Sequence, residues 1–258
     1  MSGTFYQYGS YTYPQSTILN APKEVVGKQR VADTPGRVGK YSQGALLDAQ
    51  RRVLTGQLIL NPGDDLDTFA DAFWAAHAPG QAQQLFLGRD DRYLNAEVSG
   101  TKEVNPQQYP TSLSWEVDFF ASDPYFYSTT VNTLSLGTGG TTTVTTGGTA
   151  PSTPIAIKVI VASGGGVSGD FVTISNTTTL QSSTVSASAT VAIPGTFYII
   201  PLLSLVGDSE TGSDGIDYTY LFSGSFWDLV SGANSINVAT SDDVTLTSVE
   251  IIWQDRYY

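Results

Sequence analysis

Few residues in this chain have side chains suited to chemistry, and they are scattered. His77 is the single histidine, and there is no cysteine. Disulfides, thiol catalysis and zinc–thiolate sites are therefore excluded together, and no second imidazole can complete a metal site with His77. His77 follows Phe73 by one helical turn, near the end of a helical pattern. That position suits a structural, partly buried imidazole better than a base or a ligand. No serine stands in a strand–turn–helix elbow. Gly164, Gly166 and Gly169 match the letters of a phosphate loop, but Phe171 to Ile174 behind them reads as a strand. Without a helix N-terminus there is nothing to present to a phosphate, and a hairpin loop is expected. Asp208, Glu210, Asp214 and Asp217 crowd one stretch at spacings foreign to the helix–loop–helix calcium pattern, so a solvated loop is expected. The adjacent pairs Asp64/Asp65 and Asp242/Asp243 do not face one cleft, as the two carboxylates of a glycosidase must. Tyr218, Tyr220, Phe222 and Trp227 could stack on a sugar or pack in a core. Asn176-Thr177-Thr178 spells a glycosylation sequon, but the N-terminus does not read as a secretory leader. No catalytic residue, metal ligand or cofactor is expected, and the chain reads as not an enzyme.

The elements that would position these residues are mostly strands. Only 14% of the residues are charged, well under the usual quarter, and Thr, Ser and Gly replace them. That favours β structure with many turns, and 258 residues allow one large or two smaller domains. No apolar run is long enough for a membrane-spanning helix. Net charge is −12, from 24 acidic and 12 basic residues. The excess is uneven, with fourteen acidic against ten basic residues up to Ser128, and ten against two beyond it. Such a chain repels duplex DNA on average.

The stretch Leu113–Ser128, LSWEVDFFASDPYFYS, organises the rest. Leu113, Trp115, Val117 and Phe119 alternate with Ser114, Glu116 and Asp118, as on a half-buried strand. Asp123-Pro124 stops it, because proline lacks the N–H that a ladder needs. Before it, Tyr6, Tyr8, Tyr11 and Tyr13 lie in an N-terminal arm that packs either on a partner or on its own domain. Lys23, Lys28, Arg30, Arg37 and Lys40 are interleaved with acids, as on a charged strand and loop. Arg51–Leu60 reads as a strand with a bulge at Gly56. A helix is expected over 64–78, capped by Asp64, with Leu66, Phe69, Phe73 and Trp74 on one face. Leu85–Leu87 and Tyr93–Val98 read as a strand pair.

Residues 129–150 are rich in Thr and Gly and are expected to be a linker, the alternative being one or two strands around Leu134 and Val144. From Pro151 onward short strands are expected at Ile155–Val161, Val185–Ile193, Phe197–Leu203, Tyr218–Phe222, Ser235–Thr240 and Val244–Trp253. Together they suggest a β-sandwich.

In this order the pieces resemble the distal tail proteins of siphovirus-like (long-tailed) bacteriophages. They are Ala32–Gly39, the strand after Arg51-Arg52, the acidic-capped helix, Gln84–Val98, Phe119–Ser128, Gly148–Val159 and Gly224–Val238. The positions carrying the likeness are Trp115, Phe119, Asp123, Pro124, Tyr125, Trp227, Gly232 and Asn234. Ser231 stands where the family's proline would precede Gly232, which implies a less rigid turn.

The resemblance implies a mainly β fold. Residues 1–128 would be a ring-forming belt domain, a tail-tube-like β-sandwich with one α-helix. Residues 151–258 would be a galectin-like or carbohydrate-module-like β-sandwich. It further implies a homo-hexameric ring at the distal end of the virion's tail, made in the host cytoplasm. Its partners would be the tail tube protein and the tail fibre or hub proteins, with DNA only passing through the lumen. The alternative is an adhesin binding host glycan through Tyr218, Tyr220 and Trp227.

Overall fold

The computed structural model describes residues 6–13, 18–19, 24–33, 40–59, 66–80, 82–103, 112–209 and 215–258. The chain divides into two compact units, Met1–Thr129 and Thr130–Tyr258. It is mainly β.

The first unit contains β1 (Tyr6–Tyr8), β2 (Tyr11–Thr12), β3 (Ile18–Leu19), β4 (Glu24–Asp33) and β5 (Lys40–Ile59). These are followed by α1 (Leu66–Ala76), β6 (Gln83–Leu87), β7 (Arg92–Glu103) and β8 (Ser112–Ala121). Strand β5 carries the sheet, paired with β4 from Asp33↔Lys40 to Glu24↔Arg51 and with β8 from Gln50↔Ala121 to Ile59↔Ser112. The side chains of residues 21–44, and the cap expected at Asp64, lie outside the described residues. Strand β7 serves two neighbours. Leu94 pairs with Leu85 of β6, while Glu97–Glu103 pairs with β8. The register slips between Val98 and Gly100, and such a slip bends a strand as it leaves one ladder for another.

The alternation expected along β8 is present: Trp115, Val117, Phe119 and Ala121 are buried. They pack with Leu54, Leu85, Leu94, Ala96, Val98 and Phe73. Tyr8 and Tyr13 join this core, so the N-terminal arm packs on its own unit. Gly56 is not at a bulge, since it sits in unbroken register opposite Trp115. A Cβ there would strike the indole, 2.7 Å from Cε2 and nearer still to Cζ2. The glycine is there because the flat face of Trp115 lies across it.

Strand β9 (Phe126–Ser135) begins in the first unit, where Phe126, Tyr127 and Ser128 pair with β7. The stretch expected as a linker is strand instead: the rest of β9, then β10 (Gly140–Thr146). Threonine is β-branched and suits a pleated surface, so low hydrophobicity here marks exposed strands rather than a flexible tether.

The second unit continues with β11 (Pro154–Ser163), β12 (Phe171–Asn176), β13 (Gln181–Ser186), β14 (Thr196–Ile200) and β15 (Leu205–Gly207). Strands β16 (Phe222–Gly224), β17 (Gly232–Thr240) and β18 (Thr245–Tyr257) complete it. One sheet runs β15-β14-β11-β18-β9 and the other β10-β17-β12-β13-β16. The core between them holds Ile157, Val159, Ile174, Val185, Phe197, Val238, Ile251 and Trp253 among others.

Four expectations need correcting here. The glycine loop at 164–169 is no hairpin, because β11 and β12 belong to different sheets and the loop arches between them. The strand expected over Val185–Ile193 ends at Ser186. Beyond it the Ser188 hydroxyl accepts the Val191 amide at 3.0 Å, a local turn competing with the ladder. Phe197–Leu203 is strand only as far as Ile200, because Pro201 opens a 3-10 turn. Tyr218–Phe222 is likewise a 3-10 turn over Thr219–Leu221, joining β16 at Phe222.

Candidate functional site

Helix α1 and the N-terminal arm build an aromatic cage around His77, which is 1% exposed. The rings of Phe73, Tyr11 and Tyr13 lie 4.3, 5.3 and 5.4 Å from the imidazole. Its Nδ1 meets the Phe73 carbonyl at 2.6 Å, and its Nε2 meets the Tyr13 hydroxyl. A carbonyl only accepts, so Nδ1 carries the proton, and the neutral ring accepts from Tyr13 at Nε2. Burial pushes the imidazole below its ordinary range, against the opposing pull of the Phe73 carbonyl. Both nitrogens are engaged, so this histidine clasps the arm to the helix.

Trp115 and Phe119 line the same cage. Trp115 lies 5.2 Å from both Tyr13 and Phe73, and Phe119 lies 4.9 Å from Tyr8. Asp123, Pro124 and Tyr125 form the corner that ends β8. The Asp123 carboxylate accepts the Tyr125 amide at 3.1 Å and the Tyr127 hydroxyl. Pro124 is buried between them. An acidic side chain bonding two residues ahead is an Asx turn, and here it aims the chain into β9.

In the second unit Asn234 is fully buried and fully bonded. Its Oδ1 accepts the Val230 amide at 2.9 Å, and its Nδ2 donates to the Val230 and Gly232 carbonyls at 2.8 and 3.1 Å. Asn176, the residue of the sequon, is also buried and donates to the Asp228 carbonyl at 3.1 Å and to Asn234 Oδ1 at 3.3 Å. Gly232 adopts φ +90°, where a side chain would be strained. Ser231, in the proline position, donates to the Gly148 carbonyl at 2.7 Å, a tie that proline could not make.

The aromatic residues expected to offer a sugar platform do not share a surface. Trp227 is 2% exposed within the core, whereas Tyr220 is 65% exposed and Tyr218 is half-buried. The sugar-contact expectation at Trp227 is thus corrected, because the residue's large apolar area is spent inside the sandwich. Asp208 accepts the Ile216 amide and Asp217 the Thr219 amide, each at 2.7 Å, as loop carboxylates do. Glu210 and Asp214 lie outside the described residues. Among the described residues no group of three or more His, Cys, Asp or Glu could hold a metal ion.

Sequence reasoning missed the clasp of Tyr13 on His77 and the Asn176–Asn234 pair. Both depend on contacts between residues more than fifty positions apart.

No protein-family model matches the chain, and no curated protein matches it. Among solved structures it is similar to the SPP1 Dit (gp 19.1) protein, described as a paradigm of the hub adsorption apparatus in Gram-positive-infecting phages. That likeness has a TM-score of 0.68 at 12% identity and covers 98% of this chain and 99% of that one. Two structures of the phage P2 baseplate in its activated conformation, one with Ca and one with Sr, also match at 6% identity. They cover 93% and 97% of this chain and 90% and 97% of theirs, with TM-scores of 0.42 and 0.46, too slight a likeness to build on. The first match shows a shared fold across both units.

Proposed function

We propose that this chain is a distal tail protein of a long-tailed bacteriophage, a structural component of the virion whose role is mechanical. The observation that carries the reading is the likeness to SPP1 Dit across nearly the whole of both chains. A single shared sandwich would say little about function. Two units matched in one chain, together with the order of the motifs from Ala32 to Val238, say more.

In this reading six copies close into a ring through the first unit. The ring joins the tail tube above to the fibre or hub proteins below. The second unit is a galectin-like sandwich projecting from it. DNA crosses the lumen during ejection, and a chain of net charge −12 suits that passage because it makes few phosphate contacts. The buried clasp at His77 and the Asp123 corner serve to hold the ring-forming unit rigid.

The test is imaging of the purified chain in negative stain. End-on views with six-fold symmetry and a central opening are expected. Particles without rotational symmetry, at concentrations where the protein is folded, overturn the reading.

A further inference from the structure

The sheet β10-β17-β12-β13-β16 ends on β10, and among the described residues no strand follows it. Folded proteins guard such edges by keeping them short, charged, interrupted by proline or a bulge, or covered. Two other edge strands of this unit obey. Strand β16 has 3 residues, and so has β15. Strand β15 is also covered: the Tyr218 amide donates to the Val206 carbonyl at 2.7 Å, and the Val206 amide donates to Thr219 Oγ1 at 3.0 Å.

Strand β10 has none of these guards. Its 7 residues, GTTTVTT, are uncharged and free of proline. They pair with β17 from Gly140↔Val238 to Thr146↔Gly232 without a slip. Every second residue of such a strand turns its N–H and C=O away from the paired neighbour. Thr141, Thr143 and Thr145 stand exposed on one face, while Val144 and Thr146 are buried on the other.

We propose that β10 pairs antiparallel with β10 of a second copy across a two-fold axis, joining two five-stranded sheets into one. The register that uses all 7 residues is centred on Thr143. It sets Thr141 against Thr145, Thr142 against Val144, and Thr143 against its own counterpart, so inward faces meet inward faces. Thr–Thr and Thr–Val are favourable cross-strand pairs.

Charge argues for this arrangement over a head-to-head one. A carboxylate lies just past the strand's end: Asp255, with Oδ2 2.9 Å from where a Cβ of Gly147 would stand. Antiparallel pairing about Thr143 puts the two copies of Gly147 eight positions apart along the ladder, about 27 Å at about 3.4 Å per residue. That exceeds the screening length of about 8 Å at physiological salt. The remaining net repulsion between acidic copies makes the pairing strengthen as salt is added. The pairing is separate from ring closure and doubles whatever assembly the first unit makes.

The experiment measures the mass of the full chain by light scattering across a dilution series, for the wild type, Thr143→Lys, Thr143→Glu and an equimolar mixture of the two variants. At high concentration the wild type is expected at twice the mass of either variant, with unchanged melting temperatures. The mixture is expected to regain the doubled mass, because Lys then faces Glu across the axis. Equal masses for wild type and both variants overturn the proposal, as does a mixture that stays at the variants' mass. Doubling of a single chain and doubling of a ring both read as a factor of two, so failure of the ring reading leaves this result interpretable.

Discussion

Gly56→Ala is the sharpest test of how the first unit is packed. In a strand whose φ is not positive, replacing glycine by alanine ordinarily stabilises by about 0.5–1 kcal/mol, because the unfolded chain loses freedom. Here the new methyl would stand 2.7 Å from Trp115 Cε2. The indole has little room to swing aside, since Tyr13 and Phe73 both pack on it with centroids at 5.2 Å. Overpacking of this kind costs about 1–3 kcal/mol, so set against that gain the expected net effect is a loss of up to about 2.5 kcal/mol, opposite in sign to the usual one. The assay is amide exchange of β5 and β8 in the folded protein, which reports the first unit separately from the second. Trp115→Phe in the same chain shrinks the ring and recovers part of the loss, giving a coupling above about 0.5 kcal/mol in a double-mutant cycle. A Gly56→Ala protein at least as stable as the wild type refutes the reasoning, and so does an additive cycle.

Further predictions concern the buried polar groups. His77 is held below the ordinary imidazole value of 6.5, so the unfolded chain takes up a proton first as pH falls. Its contribution is full above that value and is lost as pH drops below it. Urea midpoints between pH 7 and 5 should show a slope that vanishes in His77→Phe, and no other histidine confuses the result. Asn234→Ala takes the acceptor from the Val230 amide and leaves the Val230 and Gly232 carbonyls to share the Thr146 hydroxyl, so a loss of about 1–3 kcal/mol in chemical denaturation is expected.

How far the sequence could be read depended on whether a pattern involved neighbours in the chain or neighbours in space. Strand β8 was legible because a strand buried on one face must alternate, and Trp115, Val117 and Phe119 do so beside polar residues. Helix α1 was legible from the spacing of Phe73 and Trp74 and its acidic first turn. Gly56 was misread because a glycine in a strand has several causes, and nothing local announces an indole across the ladder. Val185–Ile193 alternates as well as β8 does, yet alanine and serine bury too little to hold a strand, and Ser188 turns the backbone instead. Trp227 was ambiguous for a similar reason, since a tryptophan serves a core and a sugar face equally well until its burial is known. The Asn176–Asn234 pair joins residues 58 positions apart and leaves no local trace.

The central claim is a closed ring, and solution mass tests it most directly. Light scattering on a sizing column, repeated across a dilution series, is expected to give six chains of 27.5 kDa, about 165 kDa, or twice that where rings pair through β10. A mass that settles at one, two or three chains throughout the series contradicts the account.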